Sequence, residues 1–299
     1  MAYRLKQSES VMEGVRRIGE EQIAEAIDEL RDECIDRHQA VHQVRKRFKK
    51  MRGLLRLVRP GIGGLYDREN GWFRDAGRDL SRVRDVESMS QAVGRLRDPR
   101  RPEHEDSALA VAEGLLREQR DRIADDWGDL NGQLKELAER LDCKQGELSD
   151  WSIDGNADRV VLQGIARSYQ QGRKTLRKAL SNPTDECLHD WRKRCKDHWY
   201  QMRLLRNVWR ESLETRIRLC SHLCDLLGDD QDMAVLTVWL HGHREEFDHQ
   251  EHVQTLLDIM ERKRKTLQDE AFPLGLRLYA EKTSCFQHRF KTYWKIWCP

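Results

Sequence analysis

The sequence predicts an all-α protein built from two similar halves, and three observations carry that prediction. Charged residues make up 35% of the 299 and hydrophobic residues 38%. That balance suits amphipathic helices with thin apolar stripes better than a buried parallel sheet. Apolar residues recur at helical spacing along most of the chain. Two basic segments, residues 41–59 and 188–206, repeat one pattern 147 residues apart.

Taken in order, the apolar period predicts a first helix over 11–35 and a second over 41–58. Arg59, Pro60, Gly61, Ile62, Gly63 and Gly64 then stop the chain. A third helix is expected over 65–96, with Asp98, Pro99, Arg100, Arg101 and Pro102 as its connector. A fourth segment covers 107–141, with a kink expected near Gly128 or Gly132. Residues 142–156 connect the halves and pack through Trp151. The cycle then restarts with helices over 158–180, 184–209 and 212–240, and a fourth beginning near His249. The prolines at 60, 99, 102, 183, 273 and 299 all fall between helices, beyond them or close to a break. The expectation is two four-helix units, about 9–142 and 156–297, packed as one domain because their apolar stripes are thin.

The repeated segments align without a gap. His42 falls on His189, Arg45 on Arg192, Lys46 on Lys193, Arg47 on Arg194, Lys49 on Lys196, Arg56 on Arg203, Leu57 on Leu204 and Arg59 on Arg206. At about 100° per residue, His42, Arg45, Lys46, Lys49, Arg52 and Arg56 share one arc of a helix. Val44, Phe48, Met51, Leu55 and Val58 share the adjoining arc. In the second copy His189, Arg192, Lys193, Lys196 and Arg203 line up beside Trp191, Cys195, Met202 and Leu205. Trp199 stands where the first copy has Arg52. The first copy has eight Lys and Arg and no acid, whereas Asp190 and Asp197 are expected to weaken the field of the second. A charge run on a helix is ordinarily a solvated face, and a histidine near a helix start can be a half-buried structural residue. Two such stripes in register, each opening on His, point instead to a site for something strongly anionic.

A second element shares the same offset. Leu80 and Asp85 match Leu227 and Asp232, while Arg84 is replaced by Gln231. Each recurring Asp is either a plain surface carboxylate or a group that orients a cation of the basic helix. Arg78, Arg82 and Arg84 extend the first cationic surface at one-turn intervals. Their counterparts Asp225, Asp229 and Gln231 make any site lopsided.

The net charge of +2 conceals this segregation, since 54 Lys and Arg nearly cancel 52 Asp and Glu. The eight cysteines include no C-x-x-C pair. Cys220, His222 and Cys224, and the loose group His241, His243, His249 and His252, lack the spacing of a metal centre. No metal or cofactor is therefore expected. The first ten residues lack the apolar core of a signal peptide, and no run approaches the length of a membrane span. A soluble, cytoplasmic protein with reduced thiols is expected.

The pattern His42-x-x-Arg45-Lys46-x-x-Lys49-x-x-Arg52, repeated from His189, resembles the CHAD domain, the conserved histidine α-helical domain. Residues 80–85 and 227–232 resemble that family's L-G-x-x-R-D motif, with Ser81 in place of Gly in one copy and Gln231 in place of Arg in the other. The resemblance covers nearly the whole chain. It implies two four-helix bundles related by pseudo-two-fold symmetry, with a basic groove between them. It also implies binding of inorganic polyphosphate and association with polyphosphate granules. Carried over position by position, the contacts would be His42, Arg45, Lys46, Lys49, Arg52, Arg56, His189, Arg192, Lys193, Lys196 and Arg203. Family members are often fused to a CYTH-type triphosphate enzyme domain, and the 299 residues here are expected to act as a stand-alone binder. Three other readings compete. One is a phosphohydrolase or phosphotransferase using His42 or His189, against which no acidic metal cluster or Gly-rich phosphate loop accompanies the stripes. Another is backbone binding of nucleic acid as a weaker polyanion, although aromatics do not interleave with the first stripe. The last is a scaffold for an acidic protein.

Overall fold

The computed structural model describes residues 3–126 and 130–298, and for residues 81–85 and 123–126 the backbone alone. The described residues are helical, without strands. The first half contains α1 (Val11–Arg31), α2 (Arg37–Val58), α3 (Gly63–Asp79), α4 (Ser81–Leu96), α5 (Glu103–Asp126) and α6 (Leu130–Gly146). The second contains α7 (Ala157–Ser181), α8 (Asp185–Leu204), α9 (Arg210–Gly242), α10 (Gln250–Leu278) and α11 (Thr283–Trp297). Starts at Val11 and Ala157, Arg37 and Asp185, Gly63 and Arg210, Glu103 and Gln250, and Leu130 and Thr283 lie 146, 148, 147, 147 and 153 residues apart.

Local chemistry sets the boundaries. Ser10 and Glu13 form a capping box on α1. Asp36 starts α2 by accepting the Gln39 amide at 3.0 Å, and Thr184 starts α8 by accepting that of Cys187 at 3.3 Å. Gly63, at φ +43°, supplies the left-handed residue that the turn after α2 requires.

Three boundaries differ from the sequence reading. The third helix of the first half is broken at Leu80, whereas its counterpart α9 runs on for 33 residues. Each half carries a further helix, α6 or α11, beyond the expected four. Pro273 lies inside α10, which continues to Leu278. Proline removes one hydrogen bond, and a long helix packed on both sides tolerates that loss. Of the two positions at which a kink is expected, Gly128 falls outside the described residues and Gly132 lies in the first turn of α6.

The buried side chains do not divide by half. A larger core joins Val44, Phe48 and Leu54 of α2 to Tyr169 of α7, Trp191 and Met202 of α8, and Phe286, Phe290 and Trp294 of α11. A smaller core joins Met89 and Val93 of α4 and Leu109 and Leu116 of α5 to Met233, Leu236 and Leu240 of α9 and Leu256 and Met260 of α10. Each core therefore draws on both halves. An apolar stripe too thin to close over its own half is covered by the stripe of the other.

Close backbone approach fixes how α2 sits among its neighbours. A Cβ on Gly164 of α7 would lie 1.8 Å from the Leu57 carbonyl oxygen, so α7 rests directly on the backbone of α2. A Cβ on Gly53 would lie 2.8 Å from that of Tyr200, so α2 and α8 meet there. Positions 53 and 200 are equivalent under the 147-residue offset. The N-terminal segment covers this meeting point: Tyr3 donates its hydroxyl to the Lys50 carbonyl at 2.7 Å, and the Leu5 amide donates to Leu204 at 2.9 Å.

Candidate functional site

The apolar arc of α2 is buried, with Val44, Phe48, Met51 and Leu55 each no more than 2% exposed. This anchoring turns the adjoining cationic arc toward α3 and toward the N-terminal end of α8. A cleft of about 370 Å³ opens there. Arg45, Lys49 and Arg52 of α2 line it, together with Arg74 and Arg78 of α3 and His189 of α8. Residues of both repeats thus face one space. Phe48 and Phe73, packed with ring centroids 5.6 Å apart, form its apolar wall.

The cations of the cleft are held in place. Arg45 donates to the carbonyl of Gly77, where α3 lacks a side chain. Arg52 donates to the Asn70 side chain at 3.2 Å. Burial, and then the neighbouring Arg56, pulls the Arg52 guanidinium down to a pKa of about 10. It stays charged at neutral pH. At the cleft mouth Asp75 takes Arg74 at 2.8 Å and Arg78 at 3.8 Å.

His189 is half buried. Burial lowers its pKa first, Lys193 and Arg192 lower it further, and a hydrogen bond that the ring donates to Gln231 opposes them. Gln231 occupies the motif position at which the first half has Arg84. The Nδ1 of His189 is buried without a hydrogen-bond partner among the described residues.

The remaining sequence-predicted residues take other places. His42 lines a separate cleft of about 600 Å³ with His38, Glu87, Gln91 and Arg120. Lys46 is exposed and reaches Gln43 at 3.4 Å. Arg56 pairs with Asp197 at 3.0 Å. Lys193 is exposed and pairs with Asp190 at 3.1 Å. Arg192 lies over α9 where Gly228 leaves room, 3.7 Å from a Cβ placed there. The Lys196 charge acts on the Cys224 thiol of α9, lowering a pKa that burial raises. The Arg203 guanidinium sits 4.8 Å above the Trp199 ring and 5.4 Å from that of Tyr3, held by aromatic faces. Arg82 and Arg84 fall outside the residues whose side chains are described, as does Asp85.

Asp197, expected to dilute the second stripe, instead serves Arg56 and Arg194. Asp232, a candidate for orienting a cation of α8, instead holds Arg95 of α4 at 2.8 Å. Arg74 was not singled out from the sequence. Its one-turn spacing to Arg78 and Arg82 is the signal that could have found it.

Among the described residues no group of three His, Cys, Asp or Glu is placed to hold a metal ion. Cys220 and Cys224 are buried thiols, and His222 pairs with Glu270 at 2.7 Å. Among the described residues no helix is long and apolar enough to cross a membrane.

No curated protein matches the chain. The family model of the CHAD domain matches residues 20–241, from within α1 almost to the end of α9. That span includes both basic helices and more than half of the sequence, so the chain belongs to the CHAD-domain family.

Proposed function

We propose that the protein binds inorganic polyphosphate without altering it chemically. The observation that carries this reading is the convergence of Arg45, Lys49, Arg52, Arg74, Arg78 and His189 on one open cleft. Family membership adds independent support. Successive phosphates of a flexible polyanion meet successive cations, with arginine engaging two oxygens and lysine acting as a point charge. The cleft is the central part of a basic groove where the two halves meet, and the contact of Gly53 with Tyr200 at equivalent positions is what a pseudo-two-fold arrangement would give. Arg192 and Lys196 of α8 and His42 of α2 would then prolong the path on either side. Granule association and a cytoplasmic location follow from the same reading.

The test is a polyphosphate titration across ionic strength, with and without chelator and with nucleic acid as competitor. About six contacting cations give a log–log slope of magnitude about four to five. Binding should persist in chelator, and the polymer should be recovered at unchanged length. Release of orthophosphate, or a flat salt response, would sink the non-catalytic polyanion reading.

A further inference from the structure

A second cleft lies on another part of the molecule, between α7 and α11. It has a volume of about 710 Å³. Arg159 of α7 and His288, Lys291 and Lys295 of α11 line it, against a single acid, Asp158. Arginines elsewhere are often held by carboxylates, as Arg17, Arg47 and Arg97 are. Among the described residues Arg159, Lys291 and Lys295 have no ion pair.

Two further features supply donors without acceptors. Trp294, which also lines the cleft, is 3% exposed, and its indole N–H has no hydrogen-bond partner among the described residues. The indoles of Trp151, Trp191 and Trp199 are left in the same way, so the Trp294 N–H marks a reporter beside the cleft. In addition, α11 starts without a side-chain cap, since Lys282 makes no capping hydrogen bond. The first-turn amides of this 15-residue helix, including that of Ser284 at the cleft edge, therefore keep their donor capacity and the positive end of the helix dipole.

We infer that the cleft between α7 and α11 is a second oxyanion site, one that takes a phosphate oligomer independently of the cleft at α2, α3 and α8. The lining favours a compact phosphate chain over an acidic peptide. It offers the cations Arg159, Lys291 and Lys295 and the polar side chains of Gln163, Ser284 and Gln287, with Leu162 and the Trp294 ring as the apolar residues among them. The choice of phosphate as ligand rests on the function proposed above, whereas the existence of an anion site does not. A polymer long enough to reach both clefts would gain effective concentration at the second once held at the first.

The test uses the full chain with ¹⁵N-labelled indoles and tripolyphosphate as probe. The chain has nine tryptophans, and Trp294→Phe assigns the resonance. That resonance should move and saturate in the wild type and equally in Lys49→Glu/Arg52→Glu, in which the first cleft is disabled. In Lys291→Glu/Lys295→Glu it should respond about tenfold more weakly or not at all. Both lysines are exposed, so the fold should survive. A Trp294 signal that stays still at saturating probe, or that moves equally in the Lys291→Glu/Lys295→Glu protein, overturns the site. A stronger response to oligoglutamate than to tripolyphosphate overturns the phosphate assignment. If Trp294 responds while Lys49→Glu leaves polyphosphate affinity unchanged, the first cleft fails and this one stands.

Discussion

Arg56 of α2 and Asp197 of α8 close a 3.0 Å ion pair where the two basic helices meet. The 147-residue offset makes Arg203 the counterpart of Arg56, and Lys50 the counterpart of Asp197. At the two counterpart positions the chain therefore holds two cations. There the Tyr3 ring stands between them, 5.8 Å from the Lys50 ammonium and 5.4 Å from the Arg203 guanidinium. Burial, and then Arg47 and Arg203, pulls the Lys50 ammonium down to a pKa of about 8. Arg56 and Asp197 are tied by charge, whereas Lys50 and Arg203 both rest near the Tyr3 ring.

Asp197→Asn should destabilise the protein by about 1 kcal/mol, because it leaves the partly buried Arg56 and Arg194 without a counter-charge while removing the cost of burying the carboxylate. Polyphosphate affinity should not fall, since no cation is lost. Arg56→Gln should likewise lower stability while changing affinity about twofold at most. Denaturant unfolding paired with a binding titration checks both. An Arg56→Gln protein that binds as poorly as Lys49→Gln would place Arg56 in direct contact with the polymer.

Charge reversal should weigh the halves unequally. Lys49→Glu, within the cleft, should weaken polyphosphate binding by about tenfold or more at low salt. Arg74→Glu should weaken it less, because Arg74 is exposed and already shares Asp75. Lys196→Glu should have an intermediate effect or smaller, since Lys196 lies outside the cleft lining. The titration series orders the three, and wild-type binding by Lys196→Glu would confine the site to the first cleft.

The pH dependence of binding should come from His189. Its pKa in the free protein is held below the ordinary value of about 6.5 by burial and then by Lys193. A bound polyanion favours the protonated ring, so binding takes up a proton and affinity rises as pH falls through about 6.5. Folding has the opposite sign. The folded free protein binds fewer protons at His189 than the unfolded chain, so stability present at neutral pH declines as pH falls below about 6.5. His189→Gln should flatten the binding profile while circular dichroism shows an intact fold. An unchanged profile in the variant would assign the pH response elsewhere.

Gly164→Ala should be among the most damaging methyl additions to the chain. The added carbon would meet the Leu57 carbonyl at 1.8 Å, a backbone atom that cannot swing aside. A loss of about 2 kcal/mol or more is expected in thermal or denaturant unfolding. Gly71→Ala, with nothing within 4 Å, should be neutral or mildly stabilising in the same assay.

The helical class was legible in the sequence because it depends on local periodicity. The registers of α2 and α8 could be read from where Val44, Phe48, Trp191 and Met202 fall on the helical wheel. Pairing choices were not legible. Nothing in the order of residues says that Asp197 serves Arg56 rather than screening Lys196, or that Asp232 belongs to Arg95, because both depend on how helices from opposite halves meet. Arg203 sits in the cationic register of α8, yet Tyr3, far away in sequence, gives it an aromatic berth. Leu80 carries no proline or glycine, so the break between α3 and α4 had no local signature.

The smaller core sets a condition on how the chain is made. Met89, Val93, Leu109 and Leu116 leave the ribosome well before Met233, Leu236, Leu256 and Met260, which bury them. At roughly 5–20 residues per second, α4 and α5 wait on the order of ten seconds with an apolar face uncovered. A fragment ending in the α6–α7 connector never receives that cover. The nascent first half is thus a substrate for chaperones, or a seed for aggregation, until α10 emerges.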